Sequence, residues 1–198
     1  MSILKQILLI LLGFSLTLPM DKPSKDSIVL GGGCFWCLEA IFERVDGVID
    51  VASGYAGGHS IDPSYKEVCS GKTGHAEVVK ITYDTAKISY SYIIDIFLNT
   101  HDPTTLNRQG NDIGTQYRSI ILYTNSDQEK IINNIIDDID NSSTYKNKIV
   151  TEVKKLEKFY KAEISHQDYY NNNKQAPYCN YVIKPKIDKA RQLYQNIK

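Results

Sequence analysis

Apolar positions along the chain change their spacing several times, and each change marks an element. A short apolar run from Ser27 to Leu30 predicts a strand over 27–31, and Leu38, Ile41, Phe42 and Val45 then recur at helical spacing, predicting a helix over 34–45. Strands are expected over 48–55 and 75–83, the second alternating imperfectly through Ala76, Val78, Val79, Ile81 and Tyr83. Ile93, Ile94, Phe97 and Leu98, with Ser89 placed to start the turn, predict a helix over 89–100. A strand over 119–124, a helix over 126–140 and a strand over 149–154 follow. Beyond Tyr160 short helix and coil are expected, with Asn171-Asn172-Asn173 and Pro177 marking a flexible approach to Cys179.

The first six elements read β-α-β-β-α-β. That order is the ferredoxin-like split βαβ arrangement, so the expected fold is α+β: a two-layer sandwich with an irregular C-terminal tail. The connections over 56–74 and 101–118 are long for a compact domain and rich in Gly, His, Asp and Tyr, which points to function rather than disorder.

A chain of 198 residues can fill one core, and no repeat or linker divides it, so residues 21–198 are expected to form a single catalytic domain. Its 23 basic and 23 acidic residues balance, which leaves no electrostatic footprint for nucleic acid; none is expected as a partner. Lys184, Lys186, Lys189 and Lys198 alternate with apolar residues and read as a solvated helix face. At the other end, Lys5 precedes an apolar run from Ile7 to Leu12 that continues to Leu18, too short for a comfortable transmembrane helix of ~20 residues. Residues 1–20 are therefore expected to be a signal peptide. Leu18-Pro19-Met20 lacks a small-x-small cleavage pattern, so the alternative is an uncleaved N-terminal anchor that tethers the protein to a membrane. Either way an exported location, periplasmic or membrane-anchored, is expected.

Gly31-Gly32-Gly33-Cys34-Phe35-Trp36-Cys37 sets a thiol where a strand turns into a helix. Three glycines in front of it suggest an open approach for a substrate. A free thiol has a pKa of ~8.5, and a helix N-terminus favours a negative group by up to ~2 kcal/mol, about 1.5 pK units. Cys34 is thus expected to be reactive and substantially thiolate near neutral pH. The four cysteines are irregularly spaced in a domain that does not need staples, so redox chemistry is preferred to structural disulfides.

Three further blocks stand out: Gly54-Tyr55-Ala56-Gly57-Gly58, Gly74-His75-Ala76-Glu77, and the run from Asn107 to Ser119 that contains Asp112 and Tyr117. With Gly33-Cys34-Phe35-Trp36-Cys37 in front, the set resembles the type A peptide methionine sulfoxide reductases, in family order from about Ile28 to Cys179. The resemblance implies a thiol-dependent reduction of methionine S-sulfoxide, free or in proteins, with no cofactor and no metal. It implies that Cys34 attacks the sulfoxide sulfur and becomes a sulfenic acid, and that Glu77, held protonated in a dry pocket, supplies the proton the oxygen needs. Tyr55 and Tyr117 would aim hydroxyls at the same oxygen, with Asp112 orienting that shell. Phe35 and Trp36 would hold the substrate methyl group. Cys179 would resolve the sulfenic acid as a disulfide, and a thioredoxin-type dithiol would reset a monomeric enzyme. The chain departs from the family pattern at Thr85, Ser165 and Pro177; the last stands where glycine is common and would stiffen the tail.

For the remaining reactive side chains a structural reading is preferred. Cys37 and Cys69 read as packing or spare thiols, Arg118 as a loop anchor, and His59, His75, His101 and His166 as buried or loop-fixing residues. A rival reading takes Cys34 and Cys37 as the C-x-x-C pair of a thioredoxin-like disulfide oxidoreductase; it leaves the Glu77 and Tyr117 blocks unexplained. A zinc module is weak with one C-x-x-C. A protein that binds oxidised methionine without turnover is the non-enzymatic alternative.

Overall fold

The computed structural model describes residues 24–198. The expected leader over 1–20 lies outside the described residues. In chain order the elements are β1 (Lys25–Gly31), α1 (Phe35–Phe42), β2 (Val48–Ala56), α2 (Tyr65–Cys69), β3 (Ala76–Asp84), α3 (Tyr90–Thr100), β4 (Arg108–Gln109), β5 (Asp112–Ile113) and β6 (Ile120–Tyr123). They continue with α4 (Ser126–Asn141), β7 (Glu152–Lys155), β8 (Phe159–Lys161), α5 (Tyr169–Asn172) and α6 (Lys184–Leu193).

β1 and β2 both pair antiparallel with β3, which therefore lies inserted between two parallel strands that α1 connects. Likewise β1 lies inserted between β3 and β6, which the chain joins through α3. This is the split βαβ arrangement, and the fold is α+β. β7 extends the sheet in parallel beside β6 and β8 extends it antiparallel beside β2, giving the order β7-β6-β1-β3-β2-β8. β4 and β5 form a separate two-residue hairpin.

Helix starts follow from local chemistry. The Ser89 hydroxyl accepts the Tyr92 N–H at the start of α3, and Asn125 Oδ1 accepts from Asp127 and Gln128 N–H at the start of α4. At the start of α1 the Cys34 side chain makes no such cap bond. What fixes α1 is burial: Phe35, Leu38, Ile41 and Phe42 are shielded against the sheet, each such side chain contributing ~1.5–3 kcal/mol relative to exposure. On the sheet, Glu77, Val79, Ile81 and Tyr83 share the helix-facing side of β3, while Ala76 and Val78 join Val29, Ala56, Ile120 and Leu122 in a second apolar cluster on the reverse side. β3 is thus covered on both faces, which is why its alternation in sequence is imperfect.

Two expectations need correction. The last expected strand, 149–154, runs over 152–155. The C-terminal tail is more ordered than expected: after β8, residues Cys179–Ile183 form a π-helical turn that runs directly into α6, and Cys179 is fully buried. Pro185, which has no N–H to donate, is the second residue of α6, where the π-helical turn passes into α-helical geometry. Ile183, Ile187 and Ala190 supply the buried stripe.

The glycines before Cys34 serve close packing rather than an open approach. A Cβ on Gly32 would sit 2.9 Å from the His101 and Phe97 rings. Gly33 has φ +91°, a Cβ there would lie 2.7 Å from Gln109 Cγ, and its N–H donates to the Tyr117 carbonyl at 3.1 Å. Gly33→Ala is expected to lose roughly 1–3 kcal/mol of stability, seen as a lower urea midpoint with unchanged m-value. An unchanged midpoint would show that the turn relaxes freely.

Candidate active site

Cys34 is the residue before the first turn of α1, 6% exposed, at the end of the Gly31–Gly33 turn. Directly beneath it Glu77 projects from β3, 1% exposed, opposite Tyr55 of β2 in the sheet register. Glu77 Oε2 accepts the Phe35 N–H at 3.1 Å, so the first free N–H of α1 is given to the carboxyl and not to the thiol. Glu77 Oε1 is buried with no hydrogen-bond partner. Burial pushes Glu77 up to about 8, with the nearby Asp112 and Cys37 charges adding to it. At neutral pH this carboxyl carries a proton.

The expectation of a Cys34 thiolate is corrected. Burial pushes the Cys34 thiol well above its usual range, helped by Cys37 and by the Glu77 charge. The helix N-terminus does not offset this, since its available N–H serves Glu77. The lowered thiol is Cys37, down to about 7, through hydrogen bonding with Cys34 and the positive charge of Lys186.

Tyr55, Tyr117 and Asp112 all line this region, in a different arrangement from the one expected. The Tyr55 hydroxyl donates to Glu163 Oε2 at 2.8 Å, and Glu163 Oε1 accepts the Tyr65 N–H. Tyr117 is half-buried on the short 3₁₀ turn Thr115–Tyr117, close enough to Glu77 and Cys34 that both charges would raise its hydroxyl pKa further above its ordinary value, after burial itself. Asp112 Oδ2 accepts the Tyr178 hydroxyl at 3.4 Å, so it orients Tyr178 rather than Tyr55 or Tyr117. Arg118 anchors loops, as expected: it pairs with Glu152 at 3.2 Å and donates to the carbonyls of Thr115, Gly57 and Gly74. It thereby ties together the segments that carry Tyr117, Tyr55 and Glu77.

Phe35 and Trp36 belong to an aromatic wall. Phe35 is fully buried, with Tyr55, Tyr65 and His166 rings 5.6–6.3 Å away. Trp36 stacks on Tyr169 at 3.6 Å and meets Tyr178 edge-on at 5.9 Å. The sequence reading gives Tyr65, Glu163, His166, Tyr178 and Lys186 no part in the site. Tyr178 had a signal in its adjacency to Cys179; Lys186 was hidden in a lysine-rich segment read as solvated. Lys186 is half-buried, and its Nζ lies 3.4 Å from Cys37 Sγ. Its position three residues after buried Ile183 and one before buried Ile187 puts it at the edge of the apolar stripe.

A buried thiol beside a neutral carboxylic acid, walled by aromatic rings and backed by two more cysteines, defines a thiol-dependent oxidoreductase that acts on an electrophilic centre bearing a proton acceptor. Comparison with known proteins narrows the class. The family model described as peptide methionine sulfoxide reductase matches residues 26–198. The chain is 54% identical over 169 residues to the peptide methionine sulfoxide reductase MsrA of Trichodesmium erythraeum (strain IMS101), covering 85% of this chain and 96% of that protein. Reduced Mxr1 from Saccharomyces cerevisiae superposes with a TM-score of 0.74 at 35% identity, over 83% of this chain and 94% of that one. Mxr1 in complex with Trx2 matches at a TM-score of 0.54 and 25% identity, over 75% and 88% of the two chains. The chain belongs to the peptide methionine sulfoxide reductase family. The thioredoxin-like alternative falls with this match and with the split βαβ sheet.

Proposed function

We propose that the enzyme, a peptide-methionine (S)-S-oxide reductase, works through the residues gathered at the start of α1. The observation that carries this reading is Glu77: a protonated carboxyl with an unpartnered buried oxygen beside the Cys34 sulfur. A sulfoxide oxygen entering there accepts the Glu77 proton, which makes the sulfur electrophilic. Cys34 bonds that sulfur as its own proton restores Glu77, the oxygen passes to Cys34, and methionine leaves. The balance is thiol plus sulfoxide to sulfenic acid plus thioether. Tyr117, and Tyr55 once released from Glu163, donate hydroxyl hydrogens to the same oxygen. The faces of Phe35 and Trp36 take the methyl group. Asp112 acts through Tyr178.

Cys179 carries the disulfide toward the outside, and a thioredoxin-type dithiol reduces it; the support is the Mxr1–Trx2 complex of a related chain. Because Cys179 is fully buried, the π-helical turn must open for this step. A monomer suffices, since every residue named here comes from one chain. Residues 21–198 act as one catalytic domain, and residues 1–20 export or tether it; fractionation of full-length protein checks the location, and a soluble cytoplasmic product with Met1 to Met20 intact would contradict export.

A fixed methyl pocket and fixed oxygen donors define the substituents of a chiral sulfur, so one epimer fits. Separated S and R sulfoxides of a blocked methionine, assayed for the thioether by mass, should show turnover of the S form alone. Comparable turnover of both would contradict the geometry.

A further inference from the structure

Three thiols, one ammonium and one phenol meet at the junction of α1 with the C-terminal tail. The Cys37 N–H donates to the Cys34 carbonyl at 3.0 Å, closing the first turn of α1, so the two cysteines share one helical turn. Side chains three residues apart on a helix stand about 5–6 Å apart at Cβ, and a disulfide needs about 3.5–4.5 Å, so the bond requires only a small local shift of Cys34, whose backbone at the N-cap is extended and not helical. Lys186 from α6 sets its Nζ 3.4 Å from Cys37 Sγ, and the Tyr178 hydroxyl lies 3.9 Å from the same sulfur. Cys37 is 1% exposed, so Lys186 is not a surface charge that happens to pass by. Cys179 sits next in chain to Tyr178, and a charge on Cys37 is felt at its thiol.

We propose that Cys37, poised by the Lys186 ammonium 3.4 Å from its sulfur, makes the first bond to the Cys34 sulfenic acid, and that Cys179 then displaces Cys34 to leave a Cys37–Cys179 disulfide. Lys186 is a positioning residue in this scheme. The inference rests on the sulfoxide reductase reading above and adds a step between Cys34 and Cys179. As a thiolate, Cys37 attacks the Cys34 sulfur: an S–S bond forms, the S–O bond breaks, and hydroxide takes the Glu77 proton and leaves as water. Cys37 is oxidised and Cys34 reduced. Cys179 next attacks the Cys37 sulfur, its proton passes to Cys34, and Cys34 leaves as a free thiol ready for another substrate.

Two physical features favour this order. A thiolate does the attacking, and the groups facing Cys37 decide which thiol holds the charge: Cys34 on its own helix, Glu77 from β3, Tyr178 and Cys179 from the tail, and Lys186 from α6. Lys186 alone among these is a cation, and it contacts Cys37. Cys179, by contrast, is raised by burial and must leave a helical turn to reach Cys34.

The test uses Cys179→Ser protein, one equivalent of S-sulfoxide and no reductant, with peptide mapping after alkylation at acid pH. Released methionine together with a Cys34–Cys37 disulfide is the expected result. Methionine with Cys34 trapped by a dione probe as the sulfenic acid, and Cys37 free, would overturn the proposal; no methionine at all would instead overturn the reading on which it rests. For Lys186, the rate of disulfide closure is followed against pH. Lys186→Met should close roughly five- to tenfold more slowly at pH 7, with the midpoint of the profile about one unit higher and the rate recovered at alkaline pH. Lys186→Arg should keep the original midpoint. A Lys186→Met profile lowered equally at every pH, with its midpoint unmoved, would make Lys186 merely structural and overturn its part.

Discussion

Replacing Cys34 with serine is expected to abolish methionine formation, in a single turnover as in steady state. The hydroxyl is a far weaker nucleophile than sulfur and cannot accept the sulfoxide oxygen as a sulfenic acid does. No other thiol stands in. Cys37 lies one turn further along α1, Cys69 closes α2, and Cys179 is buried in the tail. The measurement is methionine released from an S-sulfoxide by mass, with the fold checked by circular dichroism. Methionine at the wild-type rate from the folded variant would remove Cys34 from the chemistry.

Glu77→Gln has the second largest expected effect. Gln can still accept the Phe35 N–H, so substrate binding should change little, but it has no acidic proton to give. General acid catalysis is worth ~10²- to 10⁴-fold, and a loss of that size is expected in the single-turnover rate, with the substrate dissociation constant nearly unchanged. A loss under about threefold would make Glu77 structural. Wild-type rate should also fall as pH rises through about 8, where Glu77 loses its proton, and this limb should vanish in the variant. Stability carries the same signature. Above pH ~4.3 the unfolded chain releases the Glu77 proton while the folded chain keeps it until about 8, so the folded state loses stability progressively across that window. Glu77→Gln should therefore be more stable than wild type at pH 7, by on the order of 2 kcal/mol, and lose this advantage near pH 4.

Much of this molecule is written in local sequence pattern. The six elements of the split βαβ unit follow from apolar spacing, because helices and strands buried on one face must repeat at 3.6 or 2 residues. β3 blurs that signal only because both of its faces are covered. The pieces that escaped are those whose reason lies elsewhere in the fold. β8 is three residues long and exists by pairing with β2; α6 begins at a proline within a lysine-rich stretch. Cys34 was legible as the centre of the site, but its charge was not. The helix N-terminus suggested a thiolate, whereas burial and the capture of the Phe35 N–H by Glu77, 42 residues away in sequence, reverse the direction. Lys186 shows the same limit. Nothing within its own segment separates it from exposed Lys184 and Lys189; only its approach to Cys37, 149 residues away in sequence, does so.

The central claim is that one chain, unaided, reduces a sulfoxide at Cys34 with the electrons of its own thiols. Quench-flow of pre-reduced enzyme with excess S-sulfoxide and no external dithiol tests it most directly, counting methionine released and thiols lost. The expected result is a burst of at least one methionine per enzyme, accompanied by the loss of thiols among Cys34, Cys37 and Cys179, and then arrest until a dithiol is added. Absence of the burst, or an equal burst from enzyme alkylated at Cys34, would contradict it.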